Sequence, residues 1–258
     1  MKGPYGEGDP EVKGTMPRRE LILRELGLWP LWVPRGSARP LANDACDAAP
    51  TQDAQADSAS RAERIARMDW PALKDAVRGC TACALHKTRT QTVFGVGDER
   101  ADWLFVGEAP GADEDARGEP FVGPAGRLLD NMLTAMGLRR GKDVYIANIL
   151  KCRPPGNRAP EPGEAGQCEA FLERQIVLLQ PKLIIALGKT AANRLLRNED
   201  ALGTLRGRLH DLRGTPLLVT YHPAYLLRTP ADKTKSWEDL CFAREVMQRL
   251  KDGAPAPT

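Results

Sequence analysis

Four short apolar runs, "WLFVG" (103–107), "VYIAN" (144–148), "LIIALG" (183–188) and "LLVTYHP" (217–223), are separated by stretches with helical periodicity. Runs of this length, rich in β-formers and without polar alternation, are the pattern of strands buried on both faces. Between them Leu128, Leu129, Met132, Leu133 and Met136 recur at helical spacing, as do Leu172, Ile176 and Leu179. After the fourth run, "SWED" (236–239) reads as a capping box opening a helix with Leu240, Ala243, Met247 and Leu250 on one face. Strands alternating with helices require a parallel sheet covered on both sides, an α/β fold. Each run ends in a polar or glycine-rich turn, and these turns should converge on one edge. Open α/β sheets bind ligands in the crevice beyond the carboxyl ends of their strands.

Upstream the pattern is different. Residues 42–60, "ANDACDAAPTQDAQADSAS", contain no large apolar side chain and cannot offset their ordering entropy, so 42–68 reads as a disordered linker. Residues 1–41 form an N-terminal extension in which "RRELILRELGLWPLWVPRG" (18–36) has the apolar content for one short helix, stopped at Pro30. It reads either as a weakly ordered tail or as a helix that docks on the domain or on a protein partner. One folded domain is expected over 69–250, with a tail at 251–258. A hydrophobic content of 42% and a charged content of 28% are ordinary for a soluble monomer. The net charge of +3 permits a polyanionic partner without demanding one. No run is long enough to span a membrane, and "MKGPYGEGDPEVKG" has no signal-peptide core. A cytoplasmic location is expected, where thiols stay reduced, so six cysteines argue for metal or chemistry rather than disulfides.

"RGCTACALHK" supplies Cys80 and Cys83, and "LKCRPPGNRAPEPGEAGQCEAF" supplies Cys152 and Cys168. A Cys-x-x-Cys pair with two further thiols suits either an iron–sulfur cluster or tetrahedral zinc, and spacing does not separate the two. Cys46, in the linker, reads as a solvated thiol and Cys241 as a small core residue. "GVGD" (95–98) lacks the third glycine of a dinucleotide fingerprint, and no phosphate-loop lysine motif exists. The nucleobase-deaminase signature is missing too, since His86 follows the cysteines instead of preceding them.

"GEAPGADED", "GEPFVGPAGRLLDNML", "VYIANILKCRPPGNRAPEP" and "YHPAYLLR" together resemble the family-4 uracil-DNA glycosylases, which carry a [4Fe-4S] cluster. The similarity runs from about Asp69 to Leu250, in order and in register with the four cysteines. It implies a three-layer sandwich around a four-stranded parallel sheet. It also implies Cys80, Cys83, Cys152 and Cys168 as cluster ligands, in a structural role that ties the segment before the first strand to the loop after the second. The implied reaction releases uracil from DNA and leaves an abasic site, as in base excision repair.

Such chemistry needs the nucleotide flipped into a pocket. Asn148, ending the second strand, is the expected base reader: its amide can donate to uracil O4 and accept from N3–H, a pattern cytosine reverses. Phe121 matches the aromatic that stacks on the flipped base, and Glu114 falls where the pocket closes near C5 against the methyl of thymine. Gly107 and the turn after it let main-chain amides approach the base. The best-known uracil glycosylases carry a water-handling Asp where this chain has Ala109, so Glu108 is the carboxylate expected to orient water or stabilise the sugar cation. His222 is expected to hydrogen-bond O2 as the uracil anion departs. Tyr225 or Leu226 would enter the base stack as a wedge. Lys151, Arg153 and Arg228 are candidates for phosphate contacts. The competing class is a non-catalytic iron–sulfur or zinc module that binds single-stranded nucleic acid. An electron-transfer protein would have no use for Asn148, Phe121 and His222.

Overall fold

The computed structural model describes residues 61–254. The four expected strands form: β2 (Trp103–Gly107), β3 (Val144–Asn148), β4 (Leu183–Leu187) and β6 (Thr215–Thr220). They run parallel in the order β3-β2-β4-β6. Two further strands, β1 (Val96–Gly97) and β5 (Leu209–Leu212), pair antiparallel at the two edges, so the sheet is six-stranded and mixed rather than four-stranded. Both edges are short and only partly buried, which is why no apolar run announces them.

Alternate residues of each strand enter opposite cores, as the two-residue period requires. Leu104, Val106, Ile184, Ala186, Leu217 and Val219 face one cluster. That side is covered by α4 (Pro162–Leu179), α5 (Lys189–Leu196) and the short α6 (Leu202–Leu205), through Leu172, Leu179, Ala191, Ala192 and Leu205. Trp103, Phe105, Ile146, Ile185, Leu187 and Leu218 face the other. There α3 (Pro124–Ala135) contributes Leu129 and Leu133, and α8 (Lys233–Lys251) contributes Leu240, Ala243 and Met247. Each buried leucine, isoleucine or valine among them stabilises the fold by roughly 1.5–3 kcal/mol relative to exposure. The result is the three-layer arrangement.

Two boundaries move. Residues 61–66 are helical, and Ile65 packs with Leu73 and Val77 of α1 (Trp70–Arg78) and with Phe171 of α4. The part of the linker reading that covers 61–68 is therefore corrected; a single buried isoleucine among charged neighbours leaves no periodic signature. The rest of that reading, the N-terminal extension and residues 255–258 lie outside the described residues. The helix that carries Leu240, Ala243 and Met247, α8, begins at Lys233, not at Ser236. Ser236 and Asp239 turn inward to Thr220 instead of capping, with contacts of 3.0 and 2.8 Å. Cys241, expected in the core, is half-buried on that helix.

β3 lies on one side of β2 and β4 on the other, so the chain reverses its direction of travel across the sheet at β2. The carboxyl ends of β2, β3, β4 and β6 open on one edge. Gly107, Asn148, Gly188 and His222 sit at or just past those ends.

Candidate active site

β2 ends at Gly107, which pairs with Asn148 at the end of β3. The ladder continues briefly, with Ile149 N donating to Gly107 O at 2.9 Å and Leu150 N to Glu108 O at 3.1 Å. A side chain at position 107 would collide with Asn148 Oδ1 and with the Phe121 ring, 2.6 Å from its Cζ. Gly107 is thus the gap across which the amide and the aromatic ring meet. Asn148 is 2% exposed, and its Oδ1 meets no hydrogen-bond donor. Buried acceptors are almost always paired, so this one invites a ligand donor.

Phe121 is buried and lies in the left-handed region, at φ 56°. Its ring centroid is 5.5 Å from the His222 imidazole, the planes inclined by 31°. His222 caps the short helix α7 (Pro223–Arg228), its Nδ1 accepting from Ala224 N at 3.1 Å. That bond leaves the proton on Nε2, which is free to donate. Burial, aided by nearby Arg228 and opposed by Glu114, lowers the His222 pKa to about 4, so the ring is neutral at physiological pH. Gly188, at φ 92°, begins α5, and a Cβ there would press on His222 Cβ at 2.9 Å. Burial also raises the Glu108 carboxyl above its ordinary value, opposed by the Thr190 side chain. Asn148, Phe121 and His222 are contiguous at the carboxyl edge of the sheet, and Glu108 follows Gly107 directly there.

Other expected residues stand differently. Glu114, in α2 (Ala112–Arg117), spends its carboxylate within the loop: Oε1 accepts from Val122 N (2.9 Å) and Gly123 N (3.1 Å), and Oε2 from Gly111 N (3.1 Å). It braces the segment carrying Phe121. Lys151 does not reach solvent. It is 1% exposed, its Nζ donating to Asn148 O at 2.9 Å and Gln175 Oε1 at 2.6 Å, and burial lowers its pKa to about 8. The phosphate contact expected of it is corrected: it supports the Asn148 peptide from beneath. Leu226 is also corrected, being 1% exposed and turned into the fold. One residue on, Leu227 is 43% exposed, the phase of α7 having exchanged the two leucines. Tyr225 stacks on Tyr221 at 5.3 Å and donates its hydroxyl to Asp232 at 2.6 Å. Arg228 is exposed, and Arg153 is half-buried with Nε donating to Asn157 Oδ1 at 2.7 Å.

Cys80, Cys83, Cys152 and Cys168 are all free and line one small cavity between the end of α1, the loop after β3 and α4. Among the described residues no three His, Cys, Asp or Glu side chains form a group that could hold a single metal ion. Arg89 Nη1 approaches Cys152 Sγ at 3.1 Å and Arg61 Nη2 approaches Cys80 Sγ at 3.6 Å. Burial raises the Cys152 thiol pKa and pushes Cys168 up to about 12. A roomier cavity of about 1080 Å³ opens between α4, α5 and the β5–β6 hairpin. None of the candidate residues lines it, so size does not select the site here.

Fold and crevice define the class. Residues 94–242 match the uracil DNA glycosylase superfamily, and the chain belongs to it. Within that superfamily the similarity is to type-4 uracil-DNA glycosylases, as the motifs imply. The enzyme of Archaeoglobus fulgidus is 46% identical, over 61% of this chain and 84% of the relative. Those of Pyrobaculum aerophilum and Thermotoga maritima are 43% and 44% identical, over 68% and 69% of this chain and 93% and 94% of theirs. Among the described residues no helix is long and apolar enough to cross a membrane.

Proposed function

We propose that the chain is a DNA-repair hydrolase that cleaves the N-glycosidic bond of uracil in DNA, with Asn148 reading the base. The unpartnered Oδ1 of Asn148, buried beside Gly107 and Phe121, carries the reading. A uracil flipped into the crevice supplies the missing donor through N3–H, while the amide nitrogen donates to O4. Cytosine has no proton at N3 and is refused. The base stacks on Phe121, which is worth ~1–3 kcal/mol. As the C1′–N1 bond breaks, its electron pair passes to uracil, and negative charge grows on O2. Neutral His222 meets that charge through Nε2–H. Water adds to C1′ of the oxocarbenium-like sugar and gives its proton to Glu108, a carboxylate whose raised pKa suits it to accept one. So electrophilic a centre does not require the Asp that Ala109 lacks.

On the DNA side, exposed Leu227 replaces Leu226 as the wedge, with Tyr225 beside it, while Arg228 and Arg153 contact phosphate. Glu114 shapes the crevice near C5 by holding the Phe121 segment. For the four thiols we propose a [4Fe-4S] cluster. Four soft donors converge on one cavity and suit it, and the guanidinium groups of Arg89 and Arg61 would donate to the ligating sulfurs. Bound there, the cluster supplies cross-linking rather than catalysis, tying α1 to the loop after β3. The working form is a cytoplasmic monomer, with residues 1–41 offered to a protein partner.

The test is alkali-labile cleavage of uracil-containing oligonucleotides by purified, iron-analysed protein. Uracil-specific strand breaks with about four irons per chain are expected. DNA binding without uracil release returns the chain to the non-catalytic class, and stoichiometric zinc without iron overturns the cluster.

A further inference from the structure

Phe121 holds a backbone conformation that a bulky residue rarely adopts, so something must keep it there. Amides after it are gripped by Glu114, through Val122 N and Gly123 N. The carbonyls before and at it are gripped by Arg140, which comes from the loop between α3 and β3, far along the chain. Arg140 Nη1 donates to Pro120 O and Nη2 to Phe121 O, each at 2.8 Å. Its Nε donates to Asp130 Oδ1 at 3.0 Å, and Glu119 lies 3.4 Å from Nη1, so the guanidinium itself is aimed. On the other side the Phe121 carbonyl presses on Gly126 of α3, where no side chain would fit. The ring then has one place to go: against Gly107 and beside His222.

We propose that Arg140 is a positioning residue of the base pocket, holding Phe121 in the left-handed conformation that makes its ring the stacking surface for the flipped base. The Arg140 side chain meets Asp130, Glu119, Pro120 and Phe121, so its effect on the base passes through the segment that carries the Phe121 ring. A lysine could reach one carbonyl but not both, because only the guanidinium fork presents two parallel donors. The inference rests on Phe121 being the stacking residue, and the experiment separates the two claims.

The experiment is a double-mutant cycle of Arg140→Ala and Phe121→Ala, read as the Kd for DNA carrying an uncleavable uracil analogue and as the single-turnover rate at saturation. Stacking is made in the ground state and the transition state alike, so its loss falls on binding more than on the saturated rate. Arg140→Ala should weaken analogue binding roughly 5- to 100-fold, the range of one lost stacked base. Arg140→Lys should recover part of it. In the Phe121→Ala background, Arg140→Ala should add less than about 2-fold, since coupled residues are non-additive. An equal loss in both backgrounds, or no loss in either, overturns the proposal. If Phe121→Ala alone leaves analogue binding unchanged, the stacking assignment fails instead. Should Arg140→Ala not fold, Asp130→Asn releases the guanidinium more gently, and the same cycle with Phe121→Ala must show the same non-additivity or the proposal falls.

Discussion

Of the buried polar groups near the carboxyl ends of this sheet, Asp239 and Asn148 are finished differently. Asp239 of α8 is 1% exposed and fully paired: Oδ2 accepts from Thr220 Oγ1 at 2.8 Å and Arg206 Nε at 3.1 Å, and Oδ1 from Arg206 Nη2 at 3.0 Å. Arg206 also reaches Lys235 O and lies over the Tyr221 ring, one residue before His222. Asn148 of β3 is 2% exposed, and its Oδ1 is paired with nothing. Burial alone therefore does not mark function. The satisfied group holds the fold; the orphaned one, which the proposed function pairs with uracil N3–H, differs from the equally unpaired Oδ1 atoms of Asn193 and Asn198 in lying at the carboxyl edge beside Gly107 and Phe121. The contrast predicts that perturbing Asp239 costs stability and perturbing the crevice costs activity.

The largest effect should come from the closed side. Asp239→Ala strands a mostly buried arginine, and breaking such a pair typically costs ~3–5 kcal/mol. Denaturant unfolding should show that loss, while the fraction still folded excises uracil at near the wild-type rate. A large fall in rate without a fall in stability would erase the distinction. His222→Ala, on the open side, should slow single-turnover excision by ~100-fold or more, the usual cost of one preorganised oxyanion donor. Its binding to an uncleavable analogue should stay near wild type. If analogue binding disappears and the saturated rate holds, His222 grips the ground state instead.

Much of this arrangement is legible in the amino-acid sequence. Period and residue type locate β2, β3, β4 and β6, since strands buried on both faces leave unbroken apolar runs. The four thiols and the residues at strand ends are likewise visible, because a Gly, an Asn or a His closing such a run breaks its pattern. What was not legible depends on distant partners. Lys151, between Asn148 and Cys152, reads as a surface cation until Gln175, on α4, is folded against it. Leu226 and Leu227 are the same residue type, and only the phase of α7 decides which is exposed. Arg140 has no local signature at all, its function residing in two carbonyls on another loop. Ser236 and Asp239 match a capping box, but their tertiary bonds to Thr220 override the local rule.

A sharper form of the comparison uses Asn148 itself. An unmet buried acceptor is a standing cost of ~1–3 kcal/mol, so removing it should not destabilise the protein as an ordinary buried deletion would. Asn148→Ala should unfold at the wild-type denaturant midpoint or slightly above it, while uracil excision falls ~10- to 100-fold for two lost hydrogen bonds. Selectivity for uracil over cytosine should fall with it. A midpoint lowered as far as that of Asp239→Ala would mean that Asn148 is paired in solution and braces the fold.

The smallest effect separates the two sides by pH. The His222 pKa is lowered from 6.5 to about 4 in the folded chain, chiefly by burial. Between those values the unfolded chain takes up a proton that the folded chain refuses, so protons favour unfolding. Stability should therefore be flat above about pH 6.5 and decline as pH falls toward 4. His222→Gln removes this contribution and should shallow the decline over that window, with no change at pH 8. The Asp239 pKa is raised, again by burial, so protonation of the folded chain is favoured there and its contribution runs in the opposite sense. The two groups thus pull the acid limb of stability in opposite directions. If His222→Gln left that limb unchanged, the ring would titrate alike in both states and the imidazole would not be buried as the lowered pKa requires.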